Sequence, residues 1–230
     1  FRDYCPNGLQ VEGSGQVNKI VTGVTASQAL IDAAIEAEAD VLLVHHGYFW
    51  KGEDARVVGV KKQRIASLLD AGISLVAYHL PLDAHAEVGN NVQLAEIMGW
   101  QIDSRFGEQD LVLEGRLQQP LKLEALTREI ESRLDTRALA IDAGRHEVRR
   151  LAWCTGAAQG FIEAAAARGV DAFVSGEVSE PTFHLAREMG LHYIGAGHHA
   201  TERYGVQALG AEIARRFGIS QQFIDIPNPV

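Results

Sequence analysis

The chain alternates short apolar runs with segments whose apolar residues recur every three or four positions. Such alternation marks buried strands separated by amphipathic helices. Two segments align without a gap: residues 19–34 followed by 40–44, and residues 150–165 followed by 171–175. Each reads strand, turn, helix, strand, and units of this length imply parallel pairing through a right-handed crossover. The match continues more loosely between residues 72–78 and 190–196. Helices are expected before these strands, over 60–70 and 181–189, and after them, over 90–98 and 202–217. Chance similarity between two alanine-rich units is the alternative. The gapless correspondence of Gln28 with Gln159 and Asp40 with Asp171 favours duplication.

The expected fold is therefore α/β, built from internally duplicated strand–helix–strand halves. The seam falls in the polar stretch 104–110, giving a first half over residues 1–105 and a second over 106–230. Residues 111–149 read as an insert of strand, helix (123–134) and strand belonging to the second half.

The chain has 230 residues, 47% hydrophobic and 22% charged, ample for a core of its own. No apolar run approaches the ~18–20 residues that cross a bilayer, so no membrane partner is expected. Opening on Phe1, within what reads as a loop, implies that a short N-terminal piece precedes it. Two distant cysteines, Cys5 and Cys154, fit a reducing cytoplasm better than a disulfide framework. They are also too few for a thiolate zinc site. The net charge is −9, and the clearest basic cluster, Arg145, Arg149 and Arg150, is short. Nucleic acid is not the default partner, although a local basic surface or one built by oligomerisation stays open.

Six of the nine histidines fall in three places: His45-His46, His79 with His85, and His198-His199. Each place follows an apolar strand, where open α/β sheets bind ligands. Each also has a plain alternative. The His45-His46 pair can be structural, Asp83 can cap a helix, and His198 with Glu202 can be an exposed pair on a first helical turn. His and Glu at i and i+4 share one helix face, an arrangement that metalloenzymes use. Taken together, three strand ends with imidazole and two with carboxylate suit Zn, Fe, Mn, Ni or Co. Their number exceeds the needs of one structural zinc. Ser175-Gly176-Glu177 stands where the repeat would carry the His pair; Glu177 is either a base or orienting group in the cleft or a solvated loop residue. Tyr48 and Trp50 either line a pocket or pack. His146, His184 and His192 read as structural. Thr22-Gly23-Val24 and Thr155-Gly156 lack a phosphate-loop pattern.

The segments 6–10, 44–47, 79–83, 176–177 and 197–202, in this order, resemble the NIF-three-like proteins. The nearest branch is the bacterial YbgI type, often labelled GTP cyclohydrolase 1 type 2 homolog. The resemblance runs from about Tyr4 to Asn228. It implies a duplicated α/β fold, a toroidal homohexamer and a dinuclear centre of two divalent ions. Their ligands fall on His45, His46, Asp83, His198 and Glu202, with His79 and His199 beside the metals. Many members have Pro where this chain has Gly47, a change that spares the ligands and alters the loop.

The expected activity is metal-dependent hydrolysis of a small molecule. Two ions roughly 3.5–4 Å apart would activate water, and His79, His199 or Glu177 would shuttle the proton. A cyclohydrolase attacks a purine ring carbon; a broader hydrolase attacks a phosphoester or amide. The rival expectation is a non-catalytic metal-binding or scaffold ring in stress or DNA-repair pathways.

Overall fold

The structure, a computed structural model, describes residues 1–144 and 147–230. Arg145 of the expected basic cluster and His146, expected to be structural, lie outside the described residues.

The chain forms a mixed α/β fold with two sheets and two compact units. The first unit is Phe1–Gly89 with Arg203–Pro227; the second is Asn90–Glu202 with Asn228–Val230. This division differs from the expected seam at 105/106 for two reasons of strand pairing. Strand β5 (Gln101–Phe106) pairs antiparallel with β6 (Val112–Leu121), which ties residues 101–106 to the second sheet. The late strand β11 (Ser220–Phe223) pairs in parallel with β2 (Lys19–Thr25), which returns the tail to the first unit.

In the first unit, β1 (Gly8–Val11), β2, β3 (Val41–His46), β4 (Ser74–Ala77) and β11 lie in the order β1-β4-β3-β2-β11. Helix α1 (Gln28–Glu36) starts where Ser27 Oγ accepts the Leu30 amide at 3.3 Å, satisfying one of the orphan donors of a helix start. Its buried Leu30, Ile31 and Ala34 share a core with Val21, Leu42, Val44, Leu75 and Ala77, and with Leu68 of α2 (Gly59–Ala71). The other sheet face packs Ile20, Val41 and Leu43 against Leu209 and Ile213 of α8 (His198–Phe217). Each such fully buried aliphatic side chain contributes about 1.5–3 kcal/mol. Strand β3 is thus apolar on both faces until it reaches its terminal histidines.

In the second unit, β5, β6, β7 (Leu139–Ile141), β8 (Val148–Cys154), β9 (Ala172–Ser175) and β10 (His192–Gly195) lie in the order β5-β6-β8-β9-β10-β7. Its helices are α4 (Asn90–Met98), α5 (Leu123–Leu134), α6 (Ile162–Ala167) and α7 (Glu180–Glu188). Helix α3 (Leu80–Ala84) belongs to the first unit. The insert is the expected strand, helix and strand. Trp153, Phe173 and Tyr193 are the unit's largest fully buried side chains.

The repeat is visible inside each unit. Strands β2-β3-β4 and β8-β9-β10 are both parallel triplets, each closed by an antiparallel strand, β1 in one and β7 in the other. Asp40 Oδ2 accepts the amides of Asn18 and Lys19 at 2.7 and 2.9 Å. Asp171 Oδ2 accepts those of Arg149 and Arg150 at 3.0 and 2.9 Å. The two matched aspartates therefore anchor the first parallel strand in the same way. The matched glutamines do not: Gln28 bonds Asp32 and Ser67, whereas Gln159 bonds Glu177.

Candidate functional site

In the first unit the candidate side chains come from the ends of β3 and β4. Adjacent strand residues point to opposite faces, yet the rings of His45 and His46 stand 4.6 Å apart. Each is tied sideways to a neighbouring strand end. His45 Nδ1 lies 2.8 Å from the Tyr78 carbonyl, and His46 Nδ1 lies 3.2 Å from Thr25 Oγ1. A carbonyl only accepts, so His45 carries a proton on Nδ1. Its Nε2 is 3.4 Å from Asp83 Oδ1. Asp83 sits in α3, the five-residue helix that Pro81 opens, and is buried with His45. Gly47 permits the turn after β3: a Cβ there would lie 2.7 Å from Ala77 Cβ and overlap Gln10 Oε1.

His79 completes the cluster. Nitrogens of His45, His46 and His79 lie within 4.8 Å of one another. Trp50 walls the cluster, edge-on to His79 at 4.9 Å and 6.0 Å from His46. Its Nε1 donates to the Gly47 carbonyl at 3.1 Å. Tyr48 is instead a core residue, its hydroxyl donating to the Ala26 carbonyl at 2.7 Å. His85 serves the loop, its Nδ1 accepting the amides of Glu87 and Val88 at 3.2 Å.

In the second unit the His-x-x-x-Glu motif lies on α8 as the i, i+4 spacing implies. The helix begins at His198, four residues earlier than expected, because Gly197 turns the chain there at φ +91°. His198 Nε2 is 3.1 Å from Glu202 Oε2, and its Nδ1 is 2.7 Å from Glu177 Oε1. Burial works against charge on this imidazole, but Glu202 and Glu177 outweigh it and raise its pKa from 6.5 to about 9. Glu177 is thus engaged with His198 rather than a solvated loop residue. Gln159 holds its other oxygen at 3.3 Å. His199 is buried and its amide donates to the Val230 carbonyl at 2.9 Å; among the described residues it joins no cluster of three donor groups. His192 is fully buried, its Nδ1 accepting the Ala143 amide at 3.2 Å, and His184 is an exposed partner of Glu180.

Three residues outside the proposed ligand set shape these surroundings. Gly156, in left-handed conformation at φ +66°, lies where a Cβ would overlap Glu202 Oε1 and come within 3.2 Å of His198 Nε2. Gly176 lets the start of α8 approach: a Cβ there would be 2.7 Å from His198 Cα. Asp3 binds His79 Nδ1 at 2.7 Å across 76 residues of sequence.

Comparison with known proteins agrees with this architecture. The family model described as Duf34/NIF3 (NGG1p interacting factor 3) matches residues 1–229. A Pseudomonas aeruginosa protein named GTP cyclohydrolase 1 type 2 homolog is 58% identical, covering 100% of this chain and 92% of its own. The solved structure of protein ybgI, described as of unknown function, superposes with a TM-score of 0.97 at 52% identity, over 100% of this chain and 93% of that one. A Thermus thermophilus structure gives 0.90 at 36% identity, over 100% and 92%. The chain belongs to the DUF34/NIF3 family.

Proposed function

We propose that this protein is a metal-dependent hydrolase in which His45, His46, Asp83, His198 and Glu202 hold two divalent ions. One observation carries the reading: every imidazole in the proposed ligand set has its Nδ1 held by an oxygen of its own unit. Tyr78 O serves His45, Thr25 Oγ1 serves His46 and Glu177 Oε1 serves His198. Such outer partners fix ring orientation and raise the basicity of metal-binding histidines. Three imidazoles and two carboxylates suit Zn, Fe, Mn, Ni or Co.

When bound, two such ions supply Lewis acidity and bring the pKa of water towards neutrality. The chain does the rest. Asp83 and Glu202 offset the charge of the ions. Glu177 keeps His198 aimed and receives no proton in this reading. His79, fixed beside His45 and His46, is the proton acceptor, with His199 in reserve as a second proton carrier. Trp50 shields the imidazoles from water on one side.

The substrate is a small molecule. The name of the Pseudomonas relative makes GTP the first compound to test, followed by phosphodiesters and amides. A cytoplasmic setting is part of this proposal and rests on the chain's having two cysteines, Cys5 and Cys154, which suits a reducing compartment. The assembly is a homohexameric ring, a reading that rests on the family and on the closed symmetry of rings. A monomeric mass by light scattering at micromolar concentration would refute the ring. For the activity, protein loaded in turn with each metal is assayed on GTP, a phosphodiester and an amide panel. Turnover that disappears in His45→Ala supports a hydrolase. No turnover with any metal, alongside full metal loading, favours a non-catalytic metal-binding ring.

A further inference from the structure

The opening segment, residues 3–8, supplies none of the proposed ligands. It lies against His79. Asp3 Oδ1 is 2.7 Å from His79 Nδ1, and the Asp3 side chain is only 4% exposed. Three further donors fix the carboxylate: the Tyr4 amide at 2.6 Å on Oδ1, and on Oδ2 the Leu80 amide at 3.0 Å and Asn7 Nδ2 at 2.9 Å. Asn7 Oδ1 accepts the His79 amide at 2.8 Å. Asp3 therefore holds the His79 ring and the Leu80 amide, and Asn7 holds the His79 amide and Asp3. Four donors on one carboxylate favour its ionised form, which can only accept. The shared proton consequently resides on His79 Nδ1.

We propose that Asp3 is a positioning residue that holds His79 in the Nδ1–H tautomer and so presents its Nε2 lone pair beside His45 and His46. The catalytic meaning, His79 as proton acceptor, rests on the hydrolase reading; the tautomer does not. A carboxylate that fixes the tautomer of a catalytic histidine is a recurrent device, and exchanging it for an amide leaves the geometry but spoils the tautomer. At Asp3 an amide NH2 would face two donors whichever way it turned: the Tyr4 amide and His79 Nδ1–H, or the Leu80 amide and Asn7. In the first orientation the conflict with the ring is relieved by moving the imidazole proton to Nε2, and the loop is left to move the Tyr4 amide aside.

The experiment is nitrogen NMR on zinc-loaded protein carrying ¹⁵N-histidine, with His79 assigned through His79→Gln. In the wild type, His79 Nδ1 is expected at a protonated shift and Nε2 at a lone-pair shift. In Asp3→Asn the pattern shifts towards Nε2–H while the zinc content stays at the wild-type value. On any compound of the panel that turns over, kcat falls by ~10²-fold with KM nearly unchanged. Three results would overturn the proposal. The wild-type ring could carry its proton on Nε2. The tautomer could persist in Asp3→Asn. Cobalt-loaded protein could show a thiolate charge-transfer band lost in Cys5→Ser, because donor atoms of Asp3, Cys5 and His79 also lie within 4.8 Å of one another and an ion there would take Nδ1 itself. The wild-type spectrum answers the question even if Asp3→Asn fails to fold. A correct tautomer in a protein that hydrolyses nothing would reject the hydrolase reading alone.

Discussion

Strand β3 ends on His45 and His46, whereas its counterpart β9 runs into Gly176 and Glu177, although both strands are framed alike. Each lies between parallel neighbours, and in each unit a matched aspartate accepts two amides at the base of the preceding strand. The difference lies in the helix beyond the third strand. After β4 comes the five-residue α3, which brings Asp83 Oδ1 to 3.4 Å from His45 Nε2. After β10 comes the twenty-residue α8, whose first turn brings His198 against Gly176. The glycine at the position of His45 is the condition for that approach. The glutamate at the position of His46 becomes the partner of the incoming imidazole. One backbone plan thus places the proposed imidazole ligands at a strand end in one unit and at a helix start in the other.

Gly156 occupies the place of Thr25. In the first unit a side chain is useful there, since Thr25 steadies His46; in the second none fits, because Glu202 lies in its way. Gly156→Ala adds a Cβ against Glu202 and forces a left-handed conformation on alanine. It should remove most metal binding in a calorimetric titration with Zn²⁺. Wild-type affinity in this variant would mean that Glu202 is not held where the reading needs it. Thr25→Ala should do less, lowering metal affinity by about 10–100-fold, because His46 stays in place and loses only its lateral bond.

Acid–base behaviour sharpens the contrast for the second unit. His198 has a folded-state pKa of about 9 against 6.5. In metal-free protein its contribution to stability is therefore fully present below about 6.5 and is lost as pH rises through about 9. Urea unfolding at about pH 6 and pH 9.5 should show this loss, and Glu177→Gln should diminish it. Metal must displace the same proton, so metal affinity should climb over the same interval. The smallest effect is expected where the units agree. Asp40→Ala and Asp171→Ala each orphan two strand-end amides and should lower stability by a similar amount, about 1–3 kcal/mol, without altering metal stoichiometry at saturation. Thermal melts of both variants check this; a large difference between them would count against equivalent scaffolding roles.

The periodic elements were legible in the sequence. The helix expected over 90–98 is α4, and those over 60–70, 123–134 and 181–189 lie within a residue of their observed ends. Their apolar spacing reports a local amphipathic face. What sequence concealed was pairing without a local apolar signature. Strand β5, with three exposed residues at its start, hid in a polar stretch and displaced the expected seam. Strand β11, Ser-Gln-Gln-Phe, joins β2 across about 200 positions, as with Ser220 and Lys19. The histidine and carboxylate motifs were visible as residue types at strand ends. Their supports were not, because the Asp3–His79 and Thr25–His46 bonds are made only by folding, and because Gly156 and Gly176 act by lacking a side chain.

The central claim is that His45, His46, Asp83, His198 and Glu202 together hold two ions. Elemental analysis of protein reconstituted at neutral pH, for the wild type and for Asp83→Ala and Glu202→Ala, tests it most directly. About two ions per wild-type chain are expected, and clearly fewer in each variant. No bound metal in the wild type, or full occupancy with unchanged affinity in Glu202→Ala, would contradict it.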